Sequence, residues 1–95
     1  MPTQITQTDD QETGRSTLRV EGEMLIDDAL VLERIATGIL EEIGRTVSID
    51  IADLDFLDSD SAPILMRILR EHGIDIAGME IFLQSAVDNA ERAGR

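Results

Sequence analysis

The stretch FLDSDSAPIL, residues 56–65, places serines between aspartates directly ahead of a proline and an apolar run. Serine and aspartate favour a helix start, because their side-chain oxygens accept the free N–H groups of the first turn. A hydroxyl ahead of a helix is also exposed, and the free N–H groups there tolerate an added phosphate. The segment therefore predicts a helix cap, a phosphorylation site, or one serine for each role.

The sequence contains no complete set of residues for the catalytic or metal-binding motifs that it partly resembles. Aspartates at positions 53, 55, 58 and 60 suggest a calcium loop, but no register supplies its glycine at the sixth position and glutamate at the twelfth. The segment DLDFL follows a predicted strand as a phosphatase nucleophile would, yet the chain has no lysine after that strand to support such chemistry. His72 is the only histidine, and there are no cysteines. We predict a solvated acidic loop, with no enzymatic activity, cofactor or metal site.

His72 has a structural explanation instead. It lies at the far end of the second predicted helix from both serines, so it cannot form a Ser–His pair with them. A cation near the last carbonyl groups of a helix is favourable. We assign His72 to that position.

Length and charge limit the remaining functions. The 95 residues suit a single domain spanning 1–95, in which residues 1–16 form an edge strand and a turn. The formal net charge of −12 disfavours nucleic acid and anionic membranes. Solubility alone can account for this charge, and any partner is expected to present a basic docking surface. Neither a signal peptide nor an apolar run of about 20 residues is present, so we expect no membrane insertion and a cytoplasmic location.

Hydrophobic periodicity predicts the order β-β-α-β-α-β-α. Alternating residues predict strands at 3–8, 16–22, 46–51 and 74–78. The first helix opens at Asp27 and Asp28 and closes at Gly44, the second runs from the serine segment to His72, and a third covers the region of Phe82 to Ala90. Strands alternating with helices imply parallel pairing after an antiparallel start.

The predicted fold is therefore an α/β layer, with about four strands in a mixed sheet and three helices packed on it. The core is expected to bury apolar residues of all three helices against the third strand. These residues are Ile35, Ile39, Ile68, Leu69, Leu83 and Val87 from the helices, and Val47, Ile49 and Ile51 from the strand.

The junction between the third strand and the second helix resembles that of STAS domains, and in particular the anti-sigma-factor antagonists. SIDIADLDFLDSDSAPIL matches the family pattern without gaps, with Asp50 at the strand end, Asp58 before the acceptor and Ser59 at the phosphorylated serine. LRVEGEM and GIDIAGMEIFLQSAVDNAERAG resemble further family elements, so the resemblance covers about residues 17–94. Asp60 and Ser61 replace the family's second hydroxyl residue and its glycine.

The resemblance implies a partner-switching protein. Its unphosphorylated form would bind an anti-sigma factor that is a GHKL-type serine kinase, and phosphorylation of Ser59 would release it. A PP2C-type phosphatase would then reset the switch. The alternatives are a STAS adaptor subunit of a stressosome or of a lipid-transport ATPase complex, or a switch for a target other than sigma.

The junction residues then divide into three roles. Ser61 or Asp60 is expected to cap the second helix, and Pro63 suits its first turn. Asp50 and Asp58 are expected to hold the loop backbone. The predicted partner surface comprises Asp58, Ser59, Asp60, Ser61 and Met66, with Arg67 beside it, because Met66 lies off the apolar stripe and methionine adapts to partner surfaces.

Overall fold

Five strands and two α-helices follow one another along residues 3–78, the part of the chain that the computed structural model describes. The strands are β1 (Gln4–Asp10), β2 (Arg15–Met24), β3 (Thr46–Asp50), β4 (Leu54–Leu57) and β5 (Asp75–Ala77). The helices are α1 (Ile26–Gly38), which continues into a π-helical turn at Ile39–Ile43, and α2 (Ala62–Glu71).

The sheet is mixed, and β2 is its central strand. The strand order is β1-β2-β3-β5, with β4 also paired to β2. β1 is antiparallel to β2, and the other pairings are parallel. β2 has ten residues, of which 15–19 pair with β3 and 22–24 pair with β4. β3 and β4 therefore follow one another along the same long strand.

The two faces of the sheet differ in chemistry, as alternating side chains require. In β2, Leu18, Val20 and Met24 are buried, whereas Arg19 and Glu23 are exposed. The buried face joins the inward residues of both helices in one apolar core. That core contains Leu18, Val20, Met24, Ala29, Leu32, Ala36, Ile39, Val47, Ile49, Ile51, Leu54, Ile64, Leu65, Ile68, Ile74 and Ile76.

The predicted class, an α/β fold with a mixed sheet and an antiparallel start, is confirmed, and each predicted strand is present. The sheet has a fifth strand, β4, at a place where an acidic loop was expected. Gly44 closes the first helix as predicted, in the left-handed conformation with φ of 78°. The predicted third helix, with Leu83 and Val87, lies outside the described residues.

The predicted core is largely correct. Ile39, Ile68 and the three residues of the third predicted strand are buried. Ile35 and Leu69 are only partly buried, although both pack against the core. Ala29, Leu32 and Ala36 are instead the buried side chains of α1, and their spacing of three and four residues marks the inward face of a helix. Ile35 therefore lies at the edge of that face.

Candidate functional site

The loop of residues 58–61 connects β4 to α2 and is held by backbone contacts. The Asp58 N–H donates to the carbonyl of Met24 at 2.9 Å, and the Ser61 N–H donates to the carbonyl of Asp58 at 2.9 Å. The Asp58 carboxylate accepts the N–H of Asp60 at 3.1 Å. These contacts fix the loop to the end of β2, and they confirm that Asp58 holds loop backbone.

Asp50 does the same at the end of β3. Its carboxylate accepts the N–H of Ala52 at 3.0 Å, across the same two-residue spacing. The turn that follows is also held from β2, because the Arg19 guanidinium donates from Nε to the Asp53 carboxylate at 2.9 Å. Hydrogen bonding to Asp53 raises the pKa of Arg19 above its ordinary value. Hydrogen bonds therefore hold both Ala52 and Asp53, which lie between β3 and β4.

Ser61 occupies the predicted cap position but does not cap with its side chain. Its backbone is already helical, with φ of −80° and ψ of −28°, whereas a capping residue is normally extended. The side chain is fully buried, and its Oγ donates to the carbonyl of Met24 at 3.5 Å. Asp60 is exposed and makes no side-chain cap either, so the prediction of a side-chain cap at either residue is wrong. Pro63 does lie in the first turn, as predicted.

Ser59 is exposed, and its hydroxyl makes no hydrogen bond within residues 3–78. The free N–H groups expected beside it are mostly occupied. The N–H groups of Asp60 and Ser61 have the acceptors described above, that of Ile64 donates to Ser61 at 3.1 Å, and Pro63 has none. A phosphate on Ser59 would therefore extend into solvent with few backbone donors nearby.

Met66 and Arg67, which were predicted to lie at a partner surface, both make contacts within the described part of the chain. Met66 is only partly exposed and packs against the core, so it is less exposed than expected, and its role at a partner surface stays a prediction. Arg67 binds Glu33 of α1 through two hydrogen bonds, from Nε at 2.6 Å and from Nη2 at 2.5 Å. Because α1 packs beside α2, Arg67 serves as a link between the helices.

Glu33 is the centre of this link. The hydrogen bonds from Arg67 lower the pKa of its carboxyl, and the charges of Arg67 and His72 act in the same direction against partial desolvation. His72 ends α2, as expected, and its Nε2 lies 3.8 Å from Glu33 Oε2. The three side chains line an open groove of about 460 Å³ between the helices.

Residues 3–78 contain no group of three or more histidine or acidic side chains placed to hold a metal ion. No helix in this range is long and apolar enough to cross a membrane.

Comparison with known proteins finds similarity in structure only. No family model and no curated protein matches the sequence. An antisigma-factor antagonist STAS domain from Rhodobacter sphaeroides is 24% identical with a TM-score of 0.60, over 82% of this chain and 88% of that one. An anti-sigma factor antagonist from Mycobacterium paratuberculosis is 20% identical with a TM-score of 0.64, over 94% and 82%.

The anti-sigma factor antagonist SpoIIAA, in its unphosphorylated form, is 14% identical with a TM-score of 0.58, over 72% of this chain and 62% of that one. These similarities show that the chain has the fold of STAS-domain anti-sigma-factor antagonists. The fold that the junction motif implied is therefore confirmed.

Proposed function

We propose that this protein is a partner switch of the anti-sigma-factor-antagonist type. Its unphosphorylated form binds an anti-sigma factor that is a GHKL-type serine kinase, and phosphorylation at Ser59 releases it. The observation that carries the proposal is the exposed hydroxyl of Ser59, which lies on a loop whose residues on either side, Asp58 and Asp60, are held by hydrogen bonds. The fold shared with anti-sigma-factor antagonists supports the same function.

The chain acts in this scheme as a substrate and a ligand. An exposed acceptor can enter a kinase active site only if its hydroxyl is not engaged elsewhere, and that of Ser59 has no partner within residues 3–78. The loop is already ordered, because Asp58 accepts and donates hydrogen bonds on both sides of it. Little conformational entropy would therefore be lost when a kinase binds it.

Charge provides the release step. A phosphate adds about −1.5 to −2 charge at neutral pH. It would lie between the carboxylates of Asp58 and Asp60, and within the described residues no arginine pairs with this loop. An interface formed with the neutral serine would have to desolvate that charge, and binding would weaken. A PP2C-type phosphatase would restore the binding form.

The main experiment incubates the chain with the cognate kinase and ATP, and then locates phosphate by mass spectrometry. Ser59→Ala is expected to bind the kinase and take no phosphate, whereas Ser59→Thr keeps a hydroxyl and is expected to be labelled. Ser59→Asp should bind less well than Ser59→Ala. Phosphate on Ser61, or on neither serine despite a stable complex, would contradict the proposal.

Asp60 offers a second variant, because it replaces the family's second hydroxyl residue. Its carboxylate is exposed next to the acceptor and carries no hydrogen bond within residues 3–78. Asp60→Ser removes one negative charge from the residue next to the acceptor. Faster phosphate transfer to Ser59 in this variant would show that the carboxylate repels the nucleotide.

A further inference from the structure

An irregularity in the sheet turns Phe56 outward. Gly22 of β2 lies opposite Leu54 of β4, but the next residue, Glu23, lies opposite Phe56, so that Asp55 is an extra residue. A bulge of this kind reverses which face the following side chains occupy. Leu54 is accordingly 8% exposed, whereas Phe56, two residues later, is 49% exposed.

Leu25 lies on the same side of the sheet. It follows β2 in an extended conformation, with φ of −97° and ψ of 174°, so that the alternation of the strand continues through it. Met24 is buried and Leu25 is 48% exposed. Leu25 therefore shares the outward face of Glu23 and its neighbour Phe56.

Leucine is also a poor residue for this position. Leu25 is the residue that precedes α1, where a side-chain oxygen would accept a free N–H group and stabilise the helix. Leucine offers no such oxygen. Its backbone is satisfied, because the N–H donates to the Asp28 carboxylate at 3.0 Å and the carbonyl accepts the Ala29 N–H at 3.1 Å. A residue that breaks a local rule without gaining burial is a candidate for binding.

These apolar residues adjoin the loop that carries Ser59. The carbonyl of Met24, immediately before Leu25, accepts the Asp58 N–H and the Ser61 hydroxyl. Ile26 follows Leu25 and is 43% exposed. We call Leu25, Ile26 and Phe56 the apolar rim.

Carboxylates lie beside the apolar rim in the chain and on the adjoining loop of residues 58–61. Asp27, Asp55 and Asp60 are exposed, and none has a side-chain hydrogen bond or ion pair within residues 3–78. A second copy of this chain would bring the same acidic groups together, and like charges disfavour such a contact. A surface with arginine or lysine around an apolar centre would complement both features.

We propose that Leu25, Ile26 and Phe56, the residues of the apolar rim, form the centre of a docking surface. The partner presents an apolar patch surrounded by arginine or lysine. The inference rests on the proposed function because it takes this partner to be the kinase that phosphorylates Ser59. It assigns the binding energy to Leu25, Ile26 and Phe56 rather than to the outward side of α2. Apolar or aromatic anchors at the centre and polar side chains at the periphery are the usual anatomy of such interfaces.

The first experiment measures the affinity of the kinase for Leu25→Asn, Phe56→Ser and the wild type. Both variants should bind about tenfold more weakly or worse. Leu25→Asn should unfold at the same or a higher temperature, because asparagine caps a helix and leucine does not. A merely structural role for Leu25 would instead lower its stability. Ile43→Ser is the control, since Ile43 is 65% exposed at the opposite end of the helix and should bind normally.

The second experiment does not involve the kinase. The chain is titrated with the peptide acetyl-Arg-Leu-Leu-Arg-amide, and separately with acetyl-Glu-Leu-Leu-Glu-amide, while amide and methyl NMR shifts are recorded. Shifts at the apolar rim with the arginine peptide alone are expected. Equal shifts with both peptides, shifts centred elsewhere, or self-association that Leu25→Asn abolishes would overturn the inference.

The two experiments separate the two proposals. A kinase that binds the wild type and both rim variants equally would refute the apolar rim and leave the switch at Ser59 standing. A wild-type chain that no kinase phosphorylates, but whose rim binds the arginine peptide, would refute the switch and leave the docking surface standing.

Discussion

The link between Arg67 and Glu33 should contribute measurable stability. The perturbations are Arg67→Met and Glu33→Gln, singly and together, because both keep the volume of the side chain and remove its charge. Their coupling energy isolates the pair from the other contacts of each residue. The side chains are 43% and 17% exposed, respectively, so the pair is neither fully solvated nor buried.

Exposed ion pairs contribute about 0.2–1 kcal/mol, and bidentate geometry places a pair at the upper end of that range. We therefore expect a coupling of about 1 kcal/mol, which corresponds to roughly 4–8 °C in the unfolding temperature of a domain this size. Urea unfolding at about pH 7 measures it. Arg70→Met is the control, because Arg70 is an exposed arginine of α2 with no ion pair within residues 3–78.

The coupling should depend on pH in a defined direction. Hydrogen bonds from Arg67 lower the pKa of Glu33 below its ordinary value of 4.5. Above that value the carboxyl is charged in both the folded and the unfolded chain, and the stabilisation is fully present. As the pH falls further, through the pKa of the folded state, the stabilisation is lost. The coupling energy measured at about pH 3 should therefore be smaller than that measured at about pH 7.

A coupling near zero at neutral pH, with an unchanged urea dependence, would refute the reasoning. Arg67 would then be free to contact a partner, as the sequence alone suggested. The affinity of Arg67→Met for the kinase distinguishes these cases. It should equal that of the wild type if the arginine serves only to join α2 to α1.

Two further predictions concern packing. Leu65→Ala should lower the free energy of unfolding in urea by about 2–5 kcal/mol, because Leu65 is fully buried. Leu69→Ala should lower it by about half as much, because Leu69 is partly exposed. Equal losses would place both side chains at the same depth. Gly78→Ala should cost about 2 kcal/mol or more, since Gly78 has φ of +89° and an added Cβ would lie 2.8 Å from Ala52 Cα. Gly14→Ala is its control, because Gly14 has φ of +71° with open space around it, and a similar loss in both variants would mean that the close approach to Ala52 costs nothing.

The regular helices and strands could be predicted because the hydrophobic periodicity of the sequence matches the pattern of burial in the structure. Residues 46–51 alternate strictly, and the structure has a strand of the same alternation at Thr46–Asp50. β4 could not be predicted in this way, because the extra residue Asp55 interrupts its alternation and places Leu54 and Phe56 on opposite faces. A pattern of period two cannot detect a strand that contains a bulge.

The candidate site was predicted in part. Asp50 and Asp58 bond backbone two residues ahead of them, a local preference of aspartate that sequence alone can reveal. The role of Arg67 depends instead on Glu33, in a helix far away in the sequence, and no local pattern encodes that contact. Met66 is less exposed than expected for the same reason. Its burial comes from the packing of the folded core rather than from the spacing of residues in its own helix.

The contacts of the loop indicate how a phosphate on Ser59 would act. Each hydrogen bond that holds residues 58–61 involves the backbone or a side chain other than that of Ser59. A phosphate on Ser59 therefore breaks none of them, and the loop needs no new conformation to accept it. The carbonyl of Met24 would continue to hold the loop beside Leu25. Phosphorylation would then alter the charge next to the apolar rim and leave its shape intact, so that release arises from repulsion and desolvation at the interface.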